Sequence, residues 1–218
     1  MTRSGRAGSR GARAWLQWAQ LAVGMALVTL LAAGCAPLVV DEREREAEHE
    51  AFLAERSDLD SWLVHGRAGI RAEGEAVSLS LRWRQELDRY DLHLSGPFGA
   101  GAVRVAGDAD GVTLRHGDGR TLTAATPEDL LASQTGHRLP VTALRDWILG
   151  RPAEGKAVEA RELDRQGRPA RLVQAGWEID YRGWTEVNGL ALPARMDLSS
   201  GDKHVRVALA SWEVGGDG

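Results

Sequence analysis

Cysteine is all but missing: Cys35 stands alone in 218 residues, so no disulfide can form within the chain. Catalytic signatures are missing too. There is no G-x-S-x-G nucleophile elbow, no phosphate-cradling P-loop and no H-E-x-x-H metal pair. The histidines, at 49, 65, 93, 116, 137 and 204, are scattered without metal-ligand spacing. "GAGAVR" from Gly99 begins like a dinucleotide fingerprint, but Arg104 fills the third glycine position and the segment opens a strand. Asp88 and Asp91 fall in turn or solvent-facing positions, where only the accident of folding would pair them. Neither an enzyme nor a cofactor is expected. Phenylalanine and tyrosine are scarce, two of each, against eight tryptophans.

What is present begins with a targeting layout. Arg3, Arg6, Arg10 and Arg13 form a basic leader with no acid before Asp41. A mostly apolar run from Leu21 to Ala33 follows, too short to span a bilayer comfortably, and then Gly34-Cys35. "LLAAG" before Cys35 resembles the bacterial lipobox, with Ala32 where Leu is most common. That resemblance implies cleavage before Cys35 and acylation of the cysteine, so residues 1–34 are read as a lipoprotein signal peptide and 35–40 as an acylated tether. Ala36 in place of Asp implies sorting to the outer membrane. Removing residues 1–34 takes away four arginines and no acid, leaving 23 basic against 31 acidic side chains, a net charge of −8. That balance excludes a nucleic-acid partner, which would need a basic domain.

Residues 41–218 suit one domain. Asp41 to about Ser61 is highly charged with a thin stripe of Phe52, Leu53 and Leu59, which reads as one amphipathic helix covering something. From Trp62 the period becomes two. Val77, Leu79, Leu81 and Trp83 oppose Ser78, Ser80, Arg82 and Arg84, and the same alternation recurs at Tyr90–Ser95, Val103–Val105, Val112–Leu114, Trp177–Arg182 and Val205–Leu209. Two helices interrupt it. The first has Thr126 as a candidate cap with Pro127 at its first position and ends at Gly136; the second has Thr142 as a candidate cap, a Leu144, Trp147, Ile148 stripe and Gly150 as its stop. So long an antiparallel sheet tends to curl or split. The expected fold is mainly β: an unclosed antiparallel β-barrel with helices covering an apolar cavity. Six tryptophans in residues 62–212 fit either a plain aromatic core or an interior that holds apolar ligands.

The blocks "WLVHGRAGI", "SLSLRWRQ", "YDLHLSGPFG", "EDLLASQTGHRLPVTALRDWILG", "QAGWEIDY", "LPARMDL" and "VRVALASW" together resemble the LolB family. The resemblance implies an outer-membrane lipoprotein, lipid-anchored with its domain facing the periplasm. Such a protein accepts acylated lipoproteins from a LolA-like periplasmic carrier and inserts them into outer-membrane lipid. It also implies that the turn Pro97, Phe98, Gly99 protrudes as a membrane-docking loop, with Phe where Leu is common. The loop after Gly150 ("RPAEGKAVEA") looks individual to this chain. Leu79, Leu81 and Trp83 on the sheet, with Leu144, Trp147 and Ile148 on the second helix, are the candidate lining of the acyl cavity. Strand parity gives them a common face without saying which face is inside. Two other readings stay open: a lipoprotein that binds free lipid or glycolipid, and a structural assembly factor with a solid core.

Overall fold

The computed structural model describes residues 42–135 and 139–215, so Cys35, the signal and tether segments, Gly136 and His137 lie outside the described residues. Helix α1 spans Glu42–Ala54. Six strands follow: β1 Ser61–Ala72, β2 Glu75–Glu86, β3 Arg89–Ser95, β4 Val103–Asp108, β5 Gly111–His116 and β6 Thr121–Ala124. Helices α2 (Pro127–Thr135) and α3 (Val141–Trp147) come next, and then β7 Val158–Leu163, β8 Pro169–Gln174, β9 Trp177–Val187, β10 Leu190–Ser200 and β11 Lys203–Val214. All eleven strands form one antiparallel sheet in the order β6-β5-β4-β3-β2-β1-β11-β10-β9-β8-β7. β11 pairs with β1, so the first and last strands are central and the edges are β6 and β7. Those edges do not pair with each other, and the barrel stays open. The chain passes from one edge to the other through α2 and α3.

Alternation explains the strands. In β2, Leu81 and Trp83 are buried while Arg84 and Glu86 are exposed. Tight turns fix the register: Val187 pairs with Leu190 across Asn188-Gly189, both at positive φ, which is the geometry whose twist matches the strands. The inner face and the helices share one core. It includes Trp62, Val64, Leu114, Ile179, Leu192, Met196 and Val207 from the sheet and Leu130, Val141, Trp147 and Ile148 from the helical segment.

The helix boundaries follow local chemistry. The Thr126 hydroxyl accepts from the Asp129 amide at 3.2 Å and donates to the Asp129 carboxylate at 2.7 Å, capping α2 as expected. Thr142 does not cap α3. The helix starts one residue earlier, after Pro140, and the Thr142 amide donates to the Glu128 carboxylate at 2.7 Å. Glu128 on α2 therefore does the work of a cap, and the two helices are joined. Gly150 ends the segment at φ +79°, and a Cβ there would meet the Trp184 ring at 2.7 Å.

Helix α1 is shorter than the charged stretch that suggested it. Its buried residues are His49 and Phe52, which meet Gly167 and Trp184. Just past its end Arg56 is wholly buried, and its guanidinium donates to the carbonyls of Phe52 and Ala191. Arg151, paired with Asp146 at 2.9 Å, donates in turn to the Arg56 carbonyl. The helix is thus pinned to β8–β10 and to the end of α3.

Candidate functional site

Between the inner face and helices α2 and α3 lies a cavity of about 740 Å³, within the range of ligand sites. Leu79, Leu81 and Trp83 of β2 line it, with Ile70 of β1 and Leu92 and Leu94 of β3 beside them. Leu131 of α2 and Leu144 and Ile148 of the α3 segment cover it, while Trp177, Leu198 and Val205 close the far wall. Among the described residues its ionisable lining is confined to Glu75, His116 and Lys203. These sit at the Ala72–Glu75, β5–β6 and Ser200–Lys203 turns, on the end of the barrel where β3 hands over to β4. The mouth is therefore polar and the interior apolar. The Nε2 of His116 is buried with no hydrogen-bond partner among the described residues.

The β3–β4 connection stands on this rim, since Gly101 and Val103 both line the cavity. A single 3-10 turn, Pro97–Gly99, carries Phe98 at φ +57° with its side chain fully exposed. The loop holds itself in shape. The Gly96 amide donates to the Ala100 carbonyl at 2.8 Å, and the Gly99 amide to the Gly96 carbonyl at 3.1 Å. A non-glycine residue in the left-handed region is costly, and a bare aromatic ring in water adds to that cost. Both costs fall on Phe98. The sequence block His93–Val103 thus builds a small hydrogen-bonded platform that presents one ring to the outside.

Of the six candidate lining residues, the cavity brings together Leu79, Leu81, Trp83, Leu144 and Ile148. Trp147 is not among the lining. It is wholly buried on the other side of α3, where its Nε1 donates to the Gln174 side-chain carbonyl at 2.8 Å and its carbonyl accepts from the Tyr181 hydroxyl at 3.0 Å. A buried indole N–H needs an acceptor, and an apolar cavity has none. Sequence reasoning missed Trp177, Leu198 and Val205. Each was visible as an apolar member of an alternating strand, but only curling of the sheet shows which strands face one another. The tryptophans divide by place: Trp83 and Trp177 line the cavity, Trp62 meets Trp83 at 5.3 Å and Trp212 edge-on at 5.6 Å in a solid core, and Trp184 packs under α1. Asp88 and Asp91 do not meet as a pair; Asp88 lies 3.7 Å from Arg145, and Asp91 holds His93 and Arg104.

Residues 60–212 match the family model described as outer membrane lipoprotein LolB. The chain belongs to the LolB family. It is 57% identical to the outer-membrane lipoprotein LolB of Halorhodospira halophila over 92% of this chain and 98% of that one. It is 43% identical to the LolB of Alkalilimnicola ehrlichii over 89% and 96%. A solved DUF1329 family protein from Desulfovibrio piger superposes with a TM-score of 0.52 at 6% identity, covering 80% of this chain and 93% of that one, which shows a shared fold alone. As a member of the LolB family the chain is an outer-membrane lipoprotein. Among the described residues no group of three metal-ligating side chains occurs.

Proposed function

We propose that this LolB-family chain takes up the acyl chains of lipoproteins from a LolA-like periplasmic carrier and delivers them into outer-membrane lipid. On this reading residues 1–34 are the signal and acylated Cys35 is the anchor. The cavity shelters the chains, and Pro97, Phe98 and Gly99 dock its mouth against the bilayer. The observation that carries the reading is the apolar cavity opening beside a hydrogen-bonded loop with a fully exposed Phe98. No covalent chemistry enters this mechanism; transfer is a partition problem. Each CH2 exposed to water costs ~0.8 kcal/mol, so cargo must be sheltered throughout. A receptor that binds the chains better than the carrier and less well than the bilayer moves cargo downhill, and each tenfold step takes about 1.4 kcal/mol.

The test is transfer from a carrier–lipoprotein complex to a soluble version lacking Cys35, followed by delivery to liposomes. Cargo should move to this domain. Cargo that stays on a competent carrier sinks the reading and directs the search to free lipid or protein partners. Phe98→Glu places a charge where the bilayer is met, so it should leave uptake intact and cut delivery at least tenfold. Unchanged delivery would remove Phe98 from the mechanism.

A further inference from the structure

We propose that the outer face of β1–β5 is a second membrane contact, a cationic row that lies against anionic phospholipid while Phe98 enters the bilayer. The proposal rests on the delivery reading above. The row is set by register. Arg115 of β5 pairs with Arg104 of β4, Arg104 with His93 of β3, His93 with Arg82 of β2, and Arg82 with His65 of β1. Five neighbouring strands thus place a guanidinium or an imidazole at the same height, all on the face opposite the cavity-lining Leu81, Leu92, Leu94 and Leu114. Among the described residues Asp91, one step towards the far end, answers them: it binds Arg104, lies 2.8 Å from the His93 Nε2 and also feels the charge of Arg82. Arg82 and Arg115 form no ion pair among the described residues.

On the rest of the sheet most outer arginines are paired, with Arg195 of β10 the exposed exception among the described residues. On the outer face of β8–β11, Arg171 pairs with Glu178 at 2.7 Å, Arg182 with Asp180 at 2.7 Å and Asp197 at 3.2 Å, and Arg206 with Asp197 at 3.6 Å. Like charges directly opposite each other destabilise a sheet. Alternation asks only for polar residues there, so two unpaired arginines, Arg82 and Arg115, flanking the Asp91-bound Arg104 in an acidic protein are accounted for by an anionic surface outside the chain.

Position selects a bilayer as that surface. His93 and Arg104 belong to the two strands joined by the Phe98 loop, one register step behind Leu94 and Val103. At about 3.3 Å per residue the row lies roughly 10 Å behind the loop. The Debye length is about 8 Å at physiological ionic strength, so a membrane met by Phe98 falls within electrostatic reach of long arginine side chains. Between row and loop the outer positions of β2 and β3 hold Ser80 and Ser95, which add no negative charge.

The experiment uses the full acylated chain reconstituted in liposomes of phosphatidylcholine, with or without phosphatidylglycerol. A fluorophore on Ser80→Cys, beside the row, reports quenching by nitroxide-headgroup lipid. Phosphatidylglycerol should raise quenching several-fold and high salt should reverse it. In R82Q/R115Q the docked-to-undocked ratio should fall about 25-fold, near fivefold per arginine. Equal quenching in both lipids, or a double variant that behaves like the parent, overturns the proposal. So does protection of the label that appears only when carrier protein is added, which would make the row a protein-docking face. Phe98→Glu in the same liposomes separates the two readings. Delivery that survives F98E removes the delivery role of the loop. Delivery blocked by F98E, with quenching indifferent to R82Q/R115Q, removes the cationic row alone.

Discussion

Gln174 is wholly buried and uses every hydrogen-bonding capacity of its amide. Its carbonyl accepts from the Trp147 indole and the Ala153 amide, both at 2.8 Å, and its NH2 donates to the carbonyls of Ala153 at 3.0 Å and Lys156 at 2.8 Å. One side chain thus ties the end of α3 and the following loop to β8. Gln174→Leu keeps the volume and strands several buried polar groups, so it should cost about 3 kcal/mol or more, read as a lower urea midpoint. His49 offers a pH test. Burial lowers its pKa below 6.5, outweighing its hydrogen bond to the Gly167 carbonyl. The folded state therefore keeps the imidazole neutral while the unfolded chain takes up a proton near pH 6.5. Its contribution to stability is complete above that pH and is lost as the pH falls through the folded value. Thermal melts from pH 8 to pH 5 should show a fall that His49→Gln makes shallower. Neither residue was legible in the sequence as a buried anchor. Gln174 and His49 look like surface positions in a linear reading, and only partners that folding brings from 18 or more residues away reverse that.

At the scale of elements, period and punctuation carried most of the information. Alternation located the sheet, and Thr126-Pro127 located α2 at the residue where it starts. The limits fell where a distant group decides. Thr142 has the chemistry of a cap, yet Glu128, 14 residues upstream, takes its amide and moves the helix start to Val141. The Leu144, Trp147, Ile148 stripe was one apolar face in the sequence; in the fold the first and last line the cavity and Trp147 turns to Gln174. Glu128 therefore couples the two covering helices. Glu128→Gln weakens that joint by removing a charge-assisted bond to an amide, with an expected loss of about 1 kcal/mol. Hydrogen exchange of the α2 and α3 amides should quicken while the β1–β11 ladder keeps its protection. Uniform acceleration across the sheet would show instead that the helices and barrel open as one unit.

At the scale of the whole molecule, the proposed function assigns stability and cargo binding to different parts of the same apolar interior. Trp62, Trp83 and Trp212 pack at tilted and edge-on angles in a dense block, with Met196 and Leu192 wholly buried. Towards the mouth the same strands diverge around an unfilled 740 Å³. Interiors are normally packed without voids that large, so on the proposed function the space bordered by Leu79, Leu144 and Ile148 is room for an acyl chain rather than part of the core. Leu144 is half-buried and sits on the covering helix, where a larger side chain can enter the void without displacing the solid block. Leu144→Trp should leave the unfolding free energy within about 1 kcal/mol of the parent, because the added ring gains buried area where there was space. It should lower affinity for a fluorescent acyl probe about tenfold, because the ring and the chain compete for one volume. If the variant binds the probe as well as the parent while folding normally, the acyl chain lies elsewhere, and the cavity under α2 and α3 is not the cargo site.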